Sequence, residues 1–223
     1  MGRPMAQDST IDMEPLVAGA TLAQDSLDFR YAGRATKALL VVTQGGKPTR
    51  FAAARSDDQG HAEANLLATG LWAAALADAA KAGPSDEMVI HVLISRAPCH
   101  AVLTDAAGRL LDPVETRRYS RIEAVRLSKT GGALRMLPGC TSRLIEAIRP
   151  FRENGGSSSG VRFVLACRGT YEPTAEGTRV GVGTTTTSDV KKLIAAGWDV
   201  RALCIGGNLS RFGGQLSQFL QSL

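Results

Sequence analysis

His61 and Glu63 stand two apart in "GHAEANLL", where a polar loop gives way to a long alanine- and leucine-rich run. Side chains two apart in the first turn of a helix converge on one spot when the chain before them is a free loop. Imidazole is a ligand that zinc accepts, and a carboxylate beside it is an acid or a base. Cys99 stands 36 residues after Glu63, directly behind Pro98, at the end of "EMVIHVLISRAPC". That run is β-branched and apolar on both faces, which predicts a central strand. Such a strand delivers the Cys99 thiol to the sheet edge where the His61 helix begins. Two blander or rival readings stay open at this point. Glu63 alone suits a helix start through the helix dipole. Alternatively Cys99 is a nucleophile with His61 or His100 as its base, a reading that no local signature supports.

The elements that must position these groups follow from the pattern around them. "KALLVVTQGGKPTRFAAARS" holds two apolar runs, 38–42 and 51–54, around "QGGKP", which predicts a β-hairpin. After "SDDQG" comes one long helix over about 61–81, built of good helix formers and stopped at "AGPSD". Beyond Cys99, "DAAGRLLDP" reads as a turn, "VETRRYSRIEAVRLSK" as a strand or amphipathic helix, and "TSRLIEAIRPF" as a helix. "VRFVLACRGTYE" predicts a strand, "TTTSDVKKLIAAGW" a helix capped by Ser188 or Asp189, and "DVRALCIGG" a final strand. Residues 1–28 are polar and without period, which predicts a flexible N-terminal arm before a domain over 29–223.

An apolar fraction of 44% with only 5% aromatic residues implies an aliphatic core, the usual filling of helices packed on a sheet. This favours α/β and excludes a disordered chain. The longest apolar stretch, 66–80, is broken by Thr69, Gly70 and Asp78, so no membrane span is expected. No secretory signal is evident either, which points to the cytoplasm. Four cysteines in 223 residues read as reduced thiols rather than a disulfide framework.

His-Ala-Glu at a helix start, then Pro-Cys after the next central strand, resembles the cytidine deaminase-like superfamily. Its motif is H/C-A/V-E on one helix and P-C-x-x-C at the start of the next. The likeness spans the order of elements from about Ala38 to Gly207, with the short motifs as its specific part. It implies a three-layer α/β/α domain with a mixed central sheet, His61 and Cys99 as zinc ligands, and Glu63 as proton shuttle. The reaction implied is hydrolytic attack on C4 of cytosine or C6 of adenine. One position departs from the pattern: Val102 stands where the second cysteine belongs, and valine cannot coordinate. A catalytic zinc keeps three protein ligands. Either another group completes the shell, Cys140 in the turn "LPGC" or His100, although adjacent residues seldom reach one tetrahedral metal, or the site no longer holds zinc. Cys167 and Cys204 read better as small hydrophobes on strands.

Within the superfamily the chain resembles the deaminase domains of bacterial polymorphic toxins, which are basic and follow an unstructured lead segment. This implies a base in nucleic acid or a nucleotide as substrate, an immunity protein as partner, and delivery into a target cell without a classical signal peptide. The alternative is a catalytically degenerate deaminase fold that binds nucleic acid or a protein partner. Between Arg117 and Arg152 nine Lys or Arg face two acids, an excess larger than the net charge of +5 of the whole chain. Arg117, Arg118 and Arg121 are therefore candidates for a phosphate-tracking surface, against the ordinary reading of a solvated face. "RVGVGTTTTSDV" lacks the third glycine and the lysine of phosphate loops and reads as a plain loop and N-cap.

Overall fold

The computed structural model describes residues 9–18, 36–57, 60–111, 113–116, 118–131, 134–153, 160–168, 171–172 and 181–223. A short strand β1 (Thr10–Asp12) and helix α1 (Met13–Val17) open the described chain. The hairpin β2 (Lys37–Gln44) and β3 (Lys47–Arg55) follows, turning at Gly45 and Gly46. Both glycines have positive φ, 54° and 75°, as a tight twist-matched turn requires. Then come α2 (Ala62–Leu67), α3 (Gly70–Lys81) and β4 (Met88–Ile94). An excursion carries β5 (Ala101–Asp105), α4 (Pro113–Thr116), α5 (Arg121–Lys129) and β6 (Leu134–Pro138). The chain finishes with α6 (Cys140–Glu153), β7 (Val161–Cys167), β8 (Tyr171–Glu172), β9 (Thr185–Thr186), α7 (Thr187–Ala195), β10 (Trp198–Cys204) and α8 (Arg211–Gln221).

The fold is α/β around a mixed six-stranded sheet of order β1-β10-β7-β4-β2-β3. β1, β10, β7 and β4 run parallel, while β2 is antiparallel to both β4 and β3. Strand alternation divides the core. Leu40, Ile90, Val92, Phe163, Leu165 and Val200 pack against Leu66, Ala75, Leu144, Ile148 and Leu193 of the helices on one face. Leu39, Val41, Leu93, Ala166 and Leu203 pack against Met13 and Val17 of α1 on the other. Phe163 clamps α6 to the sheet: its ring meets Phe151 edge-on at 5.2 Å and Trp198 at 5.8 Å, and the Trp198 indole N–H donates to the Leu144 carbonyl at 3.1 Å. Truncating Phe163 to alanine would cost about 3–5 kcal/mol and loosen the helix that begins at Cys140.

Four expectations change. The single helix over 61–81 is two, because Thr69 interrupts it. Its hydroxyl donates to the Leu66 carbonyl at 2.7 Å and accepts from the Trp72 N–H at 3.3 Å, capping α3. The cap of α7 is Thr186, with Asp189 at the third position of a reciprocal capping box, not Ser188 or Asp189. Residues 10–17 of the expected arm belong to the sheet edge and its covering layer, since β1 has β10 to pair with; the remainder of that arm, apart from 9 and 18, lies outside the described residues. After Cys99 the chain enters a strand rather than a helix, so Val102 sits in β5, paired with Leu137 of β6.

Candidate metal centre

The loop before α2 is braced so that His61 stands free at the helix start. Asp57 Oδ1 accepts from the Gly60 N–H at 2.9 Å, and the Asn65 amide donates to the Arg55 carbonyl at 2.9 Å. A Cβ on Gly60 would come within 2.6 Å of Asn65 Oδ1, so the brace needs glycine. His61 occupies the N-cap without capping through its side chain, which leaves the ring to turn inward. Glu63, in the first turn, is only 2% exposed. On the facing side, the Pro98 carbonyl accepts from Thr185 Oγ1 at 2.5 Å and Thr141 Oγ1 at 3.4 Å, which fixes the turn that presents Cys99. Cys140 is the first residue of α6, and its backbone N–H donates to Cys99 Sγ at 3.3 Å.

His61, Cys99 and Cys140 therefore meet. His61 Nδ1 lies 3.3 Å from Cys99 Sγ and 3.4 Å from Cys140 Sγ, and the three donor atoms all fall within 4.8 Å of one another. The group could hold a metal ion. The hydrogen bond from Cys140, then that from His61, pulls the Cys99 thiol well below its ordinary range against the opposing effect of burial. Bonding to Cys99, with burial, pushes Cys140 the other way. The Cys99 hydrogen bond raises His61 against the opposing pull of burial. Burial, reinforced by the Cys99 charge, raises Glu63 to about 7. Glu63 Oε2 is buried with no hydrogen-bond partner, an acid held dry beside two sulfurs.

His100 lies outside this group. Its Nδ1 is 2.7 Å from Asp189 Oδ1, so it is turned towards the α7 cap and not the sulfurs. Asp189 is 1% exposed and also accepts from the Thr186 N–H at 3.0 Å, the Thr186 hydroxyl at 2.9 Å and Arg121 Nη2 at 2.8 Å. Despite its burial, these donors hold its carboxyl well below the usual carboxylate range. Sequence reading saw Asp189 only as a helix cap; the run "TTTTSD" carried the capping signal, but nothing local tied it to Arg121 or His100.

Arg121 is correspondingly no free phosphate ligand, because its guanidinium is engaged by Asp189 and by the Thr184 carbonyl. Arg118 is exposed, and Arg117 lies outside the described residues. Arg149 pairs with Glu146 at 2.6 Å, and Arg152 donates to the Gly197 carbonyl at 2.7 Å while covering the Phe163 ring. Three members of the basic segment, Arg121, Arg149 and Arg152, thus have partners within the chain. Val102 and Leu110 pack against Cys99 and Cys140 and wall the sulfurs. A groove of about 430 Å³ is lined by Ala64, Trp72, Pro138, Arg143 and Glu146 among others, and none of the site residues lines it. The convergent ligand set among the described residues is the His61, Cys99 and Cys140 cluster, not the groove.

No family model and no curated protein matches the chain. No helix among the described residues is long and apolar enough to cross a membrane.

Proposed function

We propose that the chain is a zinc-dependent hydrolytic deaminase acting on a nucleobase in nucleic acid or in a nucleotide, of the type found in bacterial polymorphic toxins. The observation that carries the reading is the meeting of His61, Cys99 and Cys140 beside a buried, unpartnered Glu63 oxygen. The donor set fits zinc. Bonds of about 2.0–2.3 Å in a tetrahedral shell set neighbouring N and S donors roughly 3.5–3.8 Å apart, close to the spacings here. Three ligands leave the fourth position for water or substrate, as a catalytic site requires. Support also comes from the succession hairpin, His-x-Glu helix, central strand, Pro-Cys and α/β units, in the order the resemblance implies.

When bound, zinc supplies the Lewis acidity that activates water near neutral pH. The protein's own contribution begins with Glu63. Its buried, unpartnered oxygen beside the cluster would take a proton from the attacking water and return it to the ring nitrogen or the leaving amine. His61 and the two cysteines hold the metal, and Val102 and Leu110 exclude bulk water from the sulfurs. Ammonia release from cytidine-, adenosine- or guanosine-containing substrates, assayed beside zinc per chain, tests the reading. A well-folded chain that takes up no zinc would favour the degenerate binding module instead.

A further inference from the structure

The absent cysteine at position 102 and the distant Cys140 have one explanation. The chain leaves the site at His100 and returns to it at Gly139, and the two ends of the excursion touch. Ala101 pairs with Pro138, the first rung of the β5–β6 ladder. The Gly139 N–H donates to the His100 carbonyl at 3.2 Å, and the Thr141 N–H donates to the Cys99 carbonyl at 3.1 Å. The approach is so close that a Cβ on Gly139 would stand 2.5 Å from the Cys99 carbonyl oxygen and 2.6 Å from the Ala101 nitrogen. Only glycine fits there.

We infer that residues 101–138 are an insertion lodged inside a single Cys-x-x-Cys metal-binding turn, made of Cys99, His100, Gly139 and Cys140, and that this insertion walls the sulfurs of the site. Remove residues 101–138 from the sequence and "PCH" joins "GCT", restoring two cysteines at the start of one helix. The excursion has the marks of a separable unit. Ala101, Leu103 and Ala124 form its own small core with Leu111, Tyr119 and Met136, and Val182 is the one member from outside. It meets the site at two points. Val102 and Leu110 cover the sulfurs, and Arg121 reaches out of it to Asp189. The Arg121 and His100 bonds to Asp189 hold the unit against α7, so the wall has a fixed stance over Cys99.

The inference rests on the zinc reading for the role of the cluster, and the test separates the two. Two shortened chains are compared with the full chain: one joins His100 to Gly139, and the other joins Asp105 to Leu134 through Asn-Gly, keeping the β5–β6 stub and Val102. The expected result is cooperative melting, at a lower temperature than the full chain for both shortened chains, because Asp189 loses Arg121 in each. One zinc per chain is expected in all three, with the same two-thiolate absorption after cobalt substitution. In metal-free protein, Cys99 and Cys140 of the first chain should react with an aromatic disulfide at least tenfold faster than in the full chain. A shortened chain that folds but loses the metal held by the full chain overturns the inference, as does failure of both shortened chains to fold. Unchanged thiol reactivity in the first chain removes the wall. Zinc missing from the full chain as well sinks the deaminase reading alone, and the insertion is then decided by whether the shortened chains melt cooperatively.

Discussion

Cys99 and Cys140 are 7% and 1% exposed, and Cys167 in the sheet is 3% exposed. Burial does not distinguish them, yet their chemistry differs. Cys167 packs among Ile94, Leu165 and Ala202, where burial, with some help from the Glu63 charge, pushes its thiol up to about 12 and leaves it inert. Cys99 has the Cys140 N–H, the Cys140 thiol and the His61 ring turned on its sulfur, and these donors outweigh the same desolvation. A buried thiol is a small hydrophobe by default and becomes a ligand only where a helix start and a second chain segment bring it donors.

The sharpest way to break this contrast is to exchange roles. Cys140→Ser should drop zinc from about one per chain to near zero by metal analysis, whereas Cys167→Ala should keep the metal and lose only about 1 kcal/mol of stability. Retained zinc in Cys140→Ser would put the third ligand elsewhere. Glu63→Gln should keep the metal and lower ammonia release at least about a thousandfold. The same variant has a thermodynamic signature. Because the folded Glu63 pKa is raised, its neutral form favours folding below about pH 4.5, and that advantage disappears as pH rises through 7. In chelator, Glu63→Gln should therefore exceed the parent in stability by about 3 kcal/mol at pH 8 and match it near pH 4, read by urea unfolding. Equal stabilities at pH 8 would show that the carboxyl is not dry.

Acid should also weaken the metal. Metal binding displaces protons from His61 and Cys140, both raised by their neighbours, so apparent zinc affinity should fall by about tenfold or more per pH unit between pH 8 and 6 in competition with a chromophoric chelator. The smallest effect is reserved for Val102→Cys. Position 102 lies on a strand, and Cys140 already supplies the second sulfur, so the extra thiol should leave zinc per chain unchanged and cost under about 1.5 kcal/mol. A second equivalent of zinc would mean that position 102 competes for the site.

Much of the sheet was legible because its strands carry their character openly: 88–94 is rich in Val and Ile, and 161–167 and 198–204 are followed by turn signals. His61, Glu63 and Cys99 could be read as one site because a helix start and a strand end share a sheet edge by topology alone. Cys140 was one of two open choices, since only the pairing of Ala101 with Pro138 brings it back, and a 38-residue return has no local signature. The helix 211–221 escaped notice because Gly213 and Gly214 lower its propensity; Ser210, which accepts from the Gly213 N–H at 3.0 Å, and the burial of Leu216 override that cost. Arg121 was misread because a charge run does not show which of its members has a buried partner.

The pairing of β1 with β10 has a consequence in time. Thr10 lies beside Ala202, Asp12 Oδ2 accepts from the Gly207 N–H at 2.7 Å, and the Ser9 and Ser217 hydroxyls are 2.7 Å apart. During synthesis at about 5–20 residues per second, the first strand waits roughly 10–40 s for its neighbour to emerge. Throughout that wait the residues that close the sheet edge are an unpaired segment open to other strands, so this seam is made last and is where a nascent chain meets the wrong partner.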